Sequence, residues 1–335
     1  MADFENMRRW LEEAAKAESK GAFTILSAPG AGLIGAPLRA LTEDGELQAA
    51  AIAAVTQRWN SLAAVGLMDL SVEAEAFGSE VHFAEDEIPT VKGRQIEDME
   101  GAVALAVPSV GAGRTGIYID CIRIAAARIN DRPVFAGMIG PYSLAARLFG
   151  VPDSMIACYD EPETMELLLS KATEFLITYA RAYKETGAQG IILAEPVAGM
   201  LSPSLEEEFS APYVKQIVDA VQDDRFLVIY HNCGDNAARM LPSILSTGAA
   251  AYHFGNAVDM AEVLEKVPSN IVVMGNLDPV GELFSGTPES VAKGTKALLS
   301  LKRGRDNFIL SSGCDIPPKT PLENLDAFFA AATEI

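Results

Sequence analysis

The pattern of apolar and polar positions divides the chain into short runs and longer periodic stretches in regular alternation. Apolar runs at residues 22–27, 67–71, 134–139, 190–194, 226–230, 250–254, 271–274 and 307–310 are of strand length. Between them, apolar residues recur at helical spacing over 46–65, 117–130, 162–186, 204–221, 236–246, 259–266 and 288–301, with a last such stretch at 321–333. Thr287-Pro288 and Thr320-Pro321 each place a proline just inside a helix, behind a capping hydroxyl. Strand–helix alternation predicts a parallel sheet, and eight such units predict an α/β fold of the (β/α)8 TIM-barrel type. An open doubly wound sheet is the alternative.

Two stretches break the rhythm. Residues 72–116 are long and irregular, with Gly, Pro and the acidic run Glu85-Asp86-Glu87, and predict an insertion after the second strand that covers the top of a barrel. Residues from about 4 to 20 read as an amphipathic N-terminal helix with Met7, Trp10, Leu11, Ala14 and Ala15 on one side. No composition break or internal repeat divides the chain, so residues 1–335 read as a single domain. The glycine-rich Pro29–Gly35 stretch lacks dinucleotide-fingerprint spacing and reads as a turn near a ligand.

Composition narrows the partners. With 26 basic and 46 acidic residues the net charge is −20, a surface that repels nucleic acid and anionic membranes. The start of the chain has no apolar core of signal-peptide type, and no run is long enough for a membrane span. The expected location is the cytoplasm, where thiols stay reduced and four cysteines signify metal ligation or burial rather than disulfides. Cys121 and Cys158 lie in helical stretches without a nearby His or Cys and read as packing residues.

The candidate chemistry gathers after the later strands. In Tyr230-His231-Asn232-Cys233-Gly234-Asp235, strand geometry aims His231 and Cys233 the same way, half of a zinc site. Cys314, in Ser311-Ser312-Gly313-Cys314-Asp315, is the candidate for the other half. His-x-Cys with a remote Cys is unlike a zinc finger; three protein ligands leave one position for water or substrate. Two thiolates already neutralise Zn2+, which suits holding a substrate thiol as thiolate for alkylation better than activating water for hydrolysis. Glu195 and His253 follow neighbouring strands and are candidate acid–base groups, with Glu195 also a candidate fourth ligand. Asn276 and Asp278 are candidate substrate-binding residues, though both also suit a turn before a helix.

These residues also carry a resemblance. Gly275-Asn276-Leu277-Asp278-Pro279, and Gly137-Met138-Ile139-Gly140-Pro141 with Ser143-Leu144-Ala145, resemble the uroporphyrinogen decarboxylase superfamily. Within it, His231-x-Cys233 with Cys314 is similar to the zinc signature of the cobalamin-dependent methyltransferase branch, which includes the methylcobamide:coenzyme M enzymes. The resemblance implies a (β/α)8 barrel that moves a methyl group between a corrinoid (methylcobalamin or a corrinoid partner protein) and a thiol such as coenzyme M. It also implies zinc held by His231, Cys233 and Cys314. Alternatives are a methyltransferase that loads a corrinoid protein from a methoxy, methylamine or methylthio compound, a porphyrinogen decarboxylase, and a non-catalytic zinc- and thiol-binding barrel. The arginine-rich N-terminal segment of the decarboxylases has no counterpart, Arg39 standing alone. Cations for a sulfonated thiol are Lys319, Arg114 and Arg123.

Overall fold

The computed structural model describes residues 4–17 and 21–333. Seven strands form one parallel sheet: β1 (Ala64–Val65), β4 (Val134–Ile139), β5 (Gly190–Ala194), β6 (Leu227–Asn232), β7 (Ala251–Phe254), β8 (Val272–Leu277) and β9 (Phe308–Ser312), adjacent in that order. Two further strands, β2 (Val81–His82) and β3 (Thr90–Val91), make a separate antiparallel hairpin. β4 to β9 are buried along nearly their whole length, which is why each reads as an unbroken apolar run.

Alternation sorts their side chains into two layers. Phe135, Ile192, Leu227, Ile229, Ala251, Val272, Met274 and Ile309 pack together inside the curled sheet. Val228, Tyr230, Tyr252, Val273 and Phe308 face the surrounding helices. The first helix, Met7–Lys16, is capped by Asn6 and buries Met7, Leu11 and Ala15, spaced one turn apart, in the inner layer. The Met7 amide donates to the Asp224 carbonyl, just before β6, so this helix covers the end of the sheet where the strands begin. Residues 18–20 of the expected N-terminal helix lie outside the described residues.

Three expectations are corrected. Residues 22–27 form a single bridge, Ala22 to Ser61, rather than a full strand. Their backbone nevertheless touches both edges of the sheet: Phe23 donates to the Leu310 carbonyl and Leu62 to the Ala22 carbonyl. The strand expected at 67–71 lies earlier, at β1, because the helix expected over 46–65 ends at Arg58. The stretch 204–221 is two helices, Pro203–Phe209 and Ala211–Val221, broken at Ser210 ahead of Pro212. Several short helices had no expectation, among them Gly30–Ile34 in the glycine-rich turn and Pro141–Phe149 after β4. No helix among the described residues is long and apolar enough to cross a membrane.

The segment between β1 and the helix Thr115–Arg128 carries the hairpin and is fastened by a buried ion pair. Arg114 donates to Asp69 at 2.5 Å, to Glu75 at 2.6 Å and to the Ser71 hydroxyl at 2.8 Å. Tyr118 donates to the same Asp69 oxygen. Nearby Glu73 is buried and accepts one amide, that of Ile139 at the end of β4. Burial pushes its carboxyl up from 4.5 to about 8. Between those values the folded chain keeps a proton that the unfolded chain has released, so rising pH lowers stability by about 1.4 kcal/mol per unit. Glu73→Gln is expected to flatten that decline, read by urea denaturation across the window; an unchanged slope would show Glu73 to be ionised throughout.

Candidate metal centre

The inner face of the sheet continues past its apolar layer into polar chemistry at the strands' C-terminal ends. Leu227 and Ile229 point inward, so His231 does too; by the same period His253, Asn276 and Ser311 follow Ala251, Met274 and Ile309. His231 and His253 are paired residues of adjacent strands. Beyond the strand ends stand Cys233 and Cys314. The ligand atoms of His231, Cys233 and Cys314 all lie within 4.8 Å of one another.

Hydrogen bonds orient this group. His231 Nε2 faces Cys314 Sγ at 3.5 Å, and His231 Nδ1 lies 2.8 Å from His253 Nδ1 and 3.3 Å from the His253 carbonyl. A carbonyl only accepts, so the proton is assigned to His231 Nδ1, leaving Nε2 with a free lone pair on the side of the sulfurs. His253 is buried, and burial with the neighbouring His231 lowers its pKa well below 6.5. Neutral His253 accepts at Nδ1 and donates at Nε2 to the Ser311 hydroxyl, 2.7 Å away. Metal-binding histidines are oriented by such a contact at their second nitrogen.

The two thiols behave as a pair. The hydrogen bond from Cys314 lowers Cys233, while that bond and burial raise Cys314 to about 12. Imidazole nitrogen and two sulfurs at this separation match the donor preferences of zinc. Cys121 and Cys158 are buried elsewhere, their thiols pushed up by burial.

The other candidates are engaged differently. Glu195 does not join the cysteine–histidine group. Its carboxylate sits at the start of the helix Pro141–Phe149, accepting from the Tyr142 and Ser143 amides and the Ser143 hydroxyl. Burial raises it to about 7 against those three donors. The Asn276 amide donates to the Gly255 and Val258 carbonyls, fixing the loop after β7. Asp278 caps the following turn through the Val280 and Gly281 amides. Arg114 is committed to its ion pair, Arg123 to Asp120 on a helix surface, and Lys319 to Asp86 at 3.0 Å.

Sequence reasoning missed Ser311 and Gly255. Ser311 was available from the period of β9, two residues beyond inward-facing Ile309. Gly255 emerges only in three dimensions, where a Cβ would lie 2.5 Å from Cys233 Cα and 2.7 Å from its Cβ. Gly255→Ala is expected to displace Cys233 and weaken metal binding by about 10-fold or more, the scale of changes that misorient a ligand. Competition with a chromogenic chelator measures it.

The comparisons with known proteins agree with this architecture. A solved methyltransferase from Methanosarcina mazei superposes with a TM-score of 0.87 over 98% of both chains, at 26% identity. A B12-independent methionine synthase from Shewanella sp. W3-18-1 shares the fold alone, with a TM-score of 0.52 at 12% identity. The class is an α/β fold on a curled parallel sheet. The uroporphyrinogen decarboxylase (URO-D) family model matches residues 21–335, and the chain belongs to that family. Among its relatives, a methylcobamide:CoM methyltransferase MtbA of Methanosarcina acetivorans is 32% identical over 79% of this chain and 77% of its own. A uroporphyrinogen decarboxylase of Synechococcus sp. is 33% identical over 62% of this chain and 60% of its own.

Proposed function

We propose that this chain is a zinc-dependent methyltransferase that moves a methyl group between a corrinoid, free or on a partner protein, and a thiol such as coenzyme M. The observation that carries the reading is the convergence of one imidazole and two thiols at the sheet's C-terminal end. The MtbA relatives, 31–32% identical over 79% of the chain, support the same direction.

In this reading His231, Cys233 and Cys314 hold zinc, whose charge supplies the means to keep a substrate sulfur deprotonated at neutral pH. His253 and Ser311 hold the His231 ring in the tautomer that offers Nε2. Glu195 serves as an internal cap that fixes the helix Pro141–Phe149 beside the site, and Asn276 and Asp278 shape the loops around it. A decarboxylase would have no use for a thiolate-rich group. We further propose a single domain in which residues 22–25, bonded to both sheet edges, complete an eight-stranded (β/α)8 barrel, with an insertion after the second strand. Its expected location is the cytoplasm.

The test is to incubate the zinc-loaded protein with methylcobalamin and a panel of thiols including coenzyme M. Loss of the methyl–cobalt absorption is expected with at least one thiol and should stop with a chelator. Loss of methyl–cobalt that persists with the chelator, or transfer to none of the thiols, would reject the reading.

A further inference from the structure

Cys233 stands one residue beyond the end of β6, where the strand ladder no longer fixes the backbone. The residue before it takes over that task. Asn232 ends β6, pairs with Phe254 of β7 and is fully buried. Its carbonyl accepts the Gly255 amide at 3.0 Å, which holds the chain on the near side of the cysteine. Its side chain then reaches across Cys233, and the carboxamide oxygen accepts the Gly234 amide at 2.9 Å. An asparagine that bonds the amide two residues on closes a turn of its own, here with Cys233 at the centre. The other end of the carboxamide donates to the Tyr230 hydroxyl at 3.0 Å. The Gly234 N–H can only donate, so the oxygen must face it and the NH2 group must face Tyr230.

The neighbouring loops close on this turn from both sides. After β5, a Cβ at Gly199 would lie 2.3 Å from the Asn232 side-chain oxygen and 2.6 Å from Gly234 Cα. After β7, Gly255 comes equally close to Cys233 itself. Asn232 shares a strand face with Tyr230, opposite to His231, so its side chain points away from the cysteine–histidine group. Any effect it has on that group passes through the backbone of Cys233.

We propose that Asn232 is a positioning residue of the candidate metal centre, which through its bond to Gly234 fixes the direction in which Cys233 presents its sulfur to His231 and Cys314. The proposal rests on the reading that these three residues hold a metal. Without the carboxamide the turn around Cys233 loses the bond that closes it, and the thiolate must be ordered by the metal instead. Contacts that orient a ligand in this way change metal affinity by about 10- to 100-fold when removed.

Co2+ titrated into the metal-free, reduced full chain tests this, because a thiolate bound to cobalt gives a sulfur-to-metal charge-transfer band. Asn232→Leu keeps the side-chain size but bonds neither neighbour. It is expected to bind Co2+ at least about 10-fold more weakly than wild type and, at saturating metal, to show a shifted or weakened band. Asn232→Asp retains an acceptor for the Gly234 amide, while the Tyr230 hydroxyl can turn to donate to it. Its band at saturation is expected to match wild type. Tyr230→Phe also breaks the buried Asn232–Tyr230 bond but spares the one to Gly234, and should keep the wild-type band. A wild-type band and affinity in Asn232→Leu, an unrestored band in Asn232→Asp, or an equal change in Tyr230→Phe would overturn the proposal. A second measurement separates it from the metal reading. In metal-free protein, alkylation by iodoacetamide at Cys233 is expected to change several-fold in Asn232→Leu and not in Asn232→Asp, with Cys314 as the internal reference. That result in a chain that shows no thiolate–cobalt band would uphold the role of Asn232 and reject the metal reading. A wild-type band with unaltered alkylation and affinity in Asn232→Leu would do the reverse.

Discussion

Replacing Cys314 by alanine is expected to lower the affinity for zinc by more than about 100-fold, beyond the range of changes to the contacts around a metal site. Methyl transfer should be lost with it. The reason is charge as well as geometry. His231 brings no charge, so the two sulfurs supply all the neutralisation that a divalent cation requires in this half-buried setting. With one thiolate the bound ion keeps a net positive charge. Cys233→Ala should act the same way, while Cys158→Ala, in a helix packed away from the site, should retain full zinc. Metal content after dialysis against a weak chelator measures all three. Stoichiometric zinc in both single-ligand variants would show that other residues hold it.

The second large effect is on stability. Arg114→Ala is expected to destabilise the fold by about 3–5 kcal/mol, the usual consequence of leaving one member of a buried ion pair alone. Arg114 is 7% exposed at the side chain and Asp69 fully buried, and Glu75, the Ser71 hydroxyl and Tyr118 also bond to the two. Denaturant titration should show a lower midpoint at unchanged slope. Arg114→Met combined with Asp69→Asn is expected to recover part of the loss, because it removes both charges together. An exposed pair such as Lys215–Asp219 should change stability by less than about 1 kcal/mol when broken. Similar losses at the two pairs would show that Arg114 is not the fastening of the insertion.

The parts that were legible in the sequence share a physical signature. β4 to β9 are buried on both faces, and that two-sided burial writes an apolar run that needs no partner to be recognised. The first two strands are short and close to the edge of the sheet, so their runs were displaced or incomplete. His231 and Cys233 could be placed together because a strand's period is local. Cys314 could be suggested only through the scaffold, whose strand ends ring one opening. What could not be read depends on distant backbone. Glu195 satisfies the amides of a helix that begins at Pro141, and no spacing in the sequence connects the two. The same holds for the Arg114–Asp69 pair and for Gly255, whose missing side chain matters because Cys233 passes beside it.

The wide separation of His231 and Cys314 along the chain, 83 residues, has a thermodynamic consequence. Once zinc is held, it acts as a removable cross-link that closes a loop containing β7, β8 and β9. Such a ligand adds to folding free energy in proportion to the logarithm of its free concentration, about 1.4 kcal/mol for each tenfold excess over its dissociation constant. The melting temperature should therefore track the free zinc of the surrounding buffer. Metal starvation would then reduce how much folded protein survives.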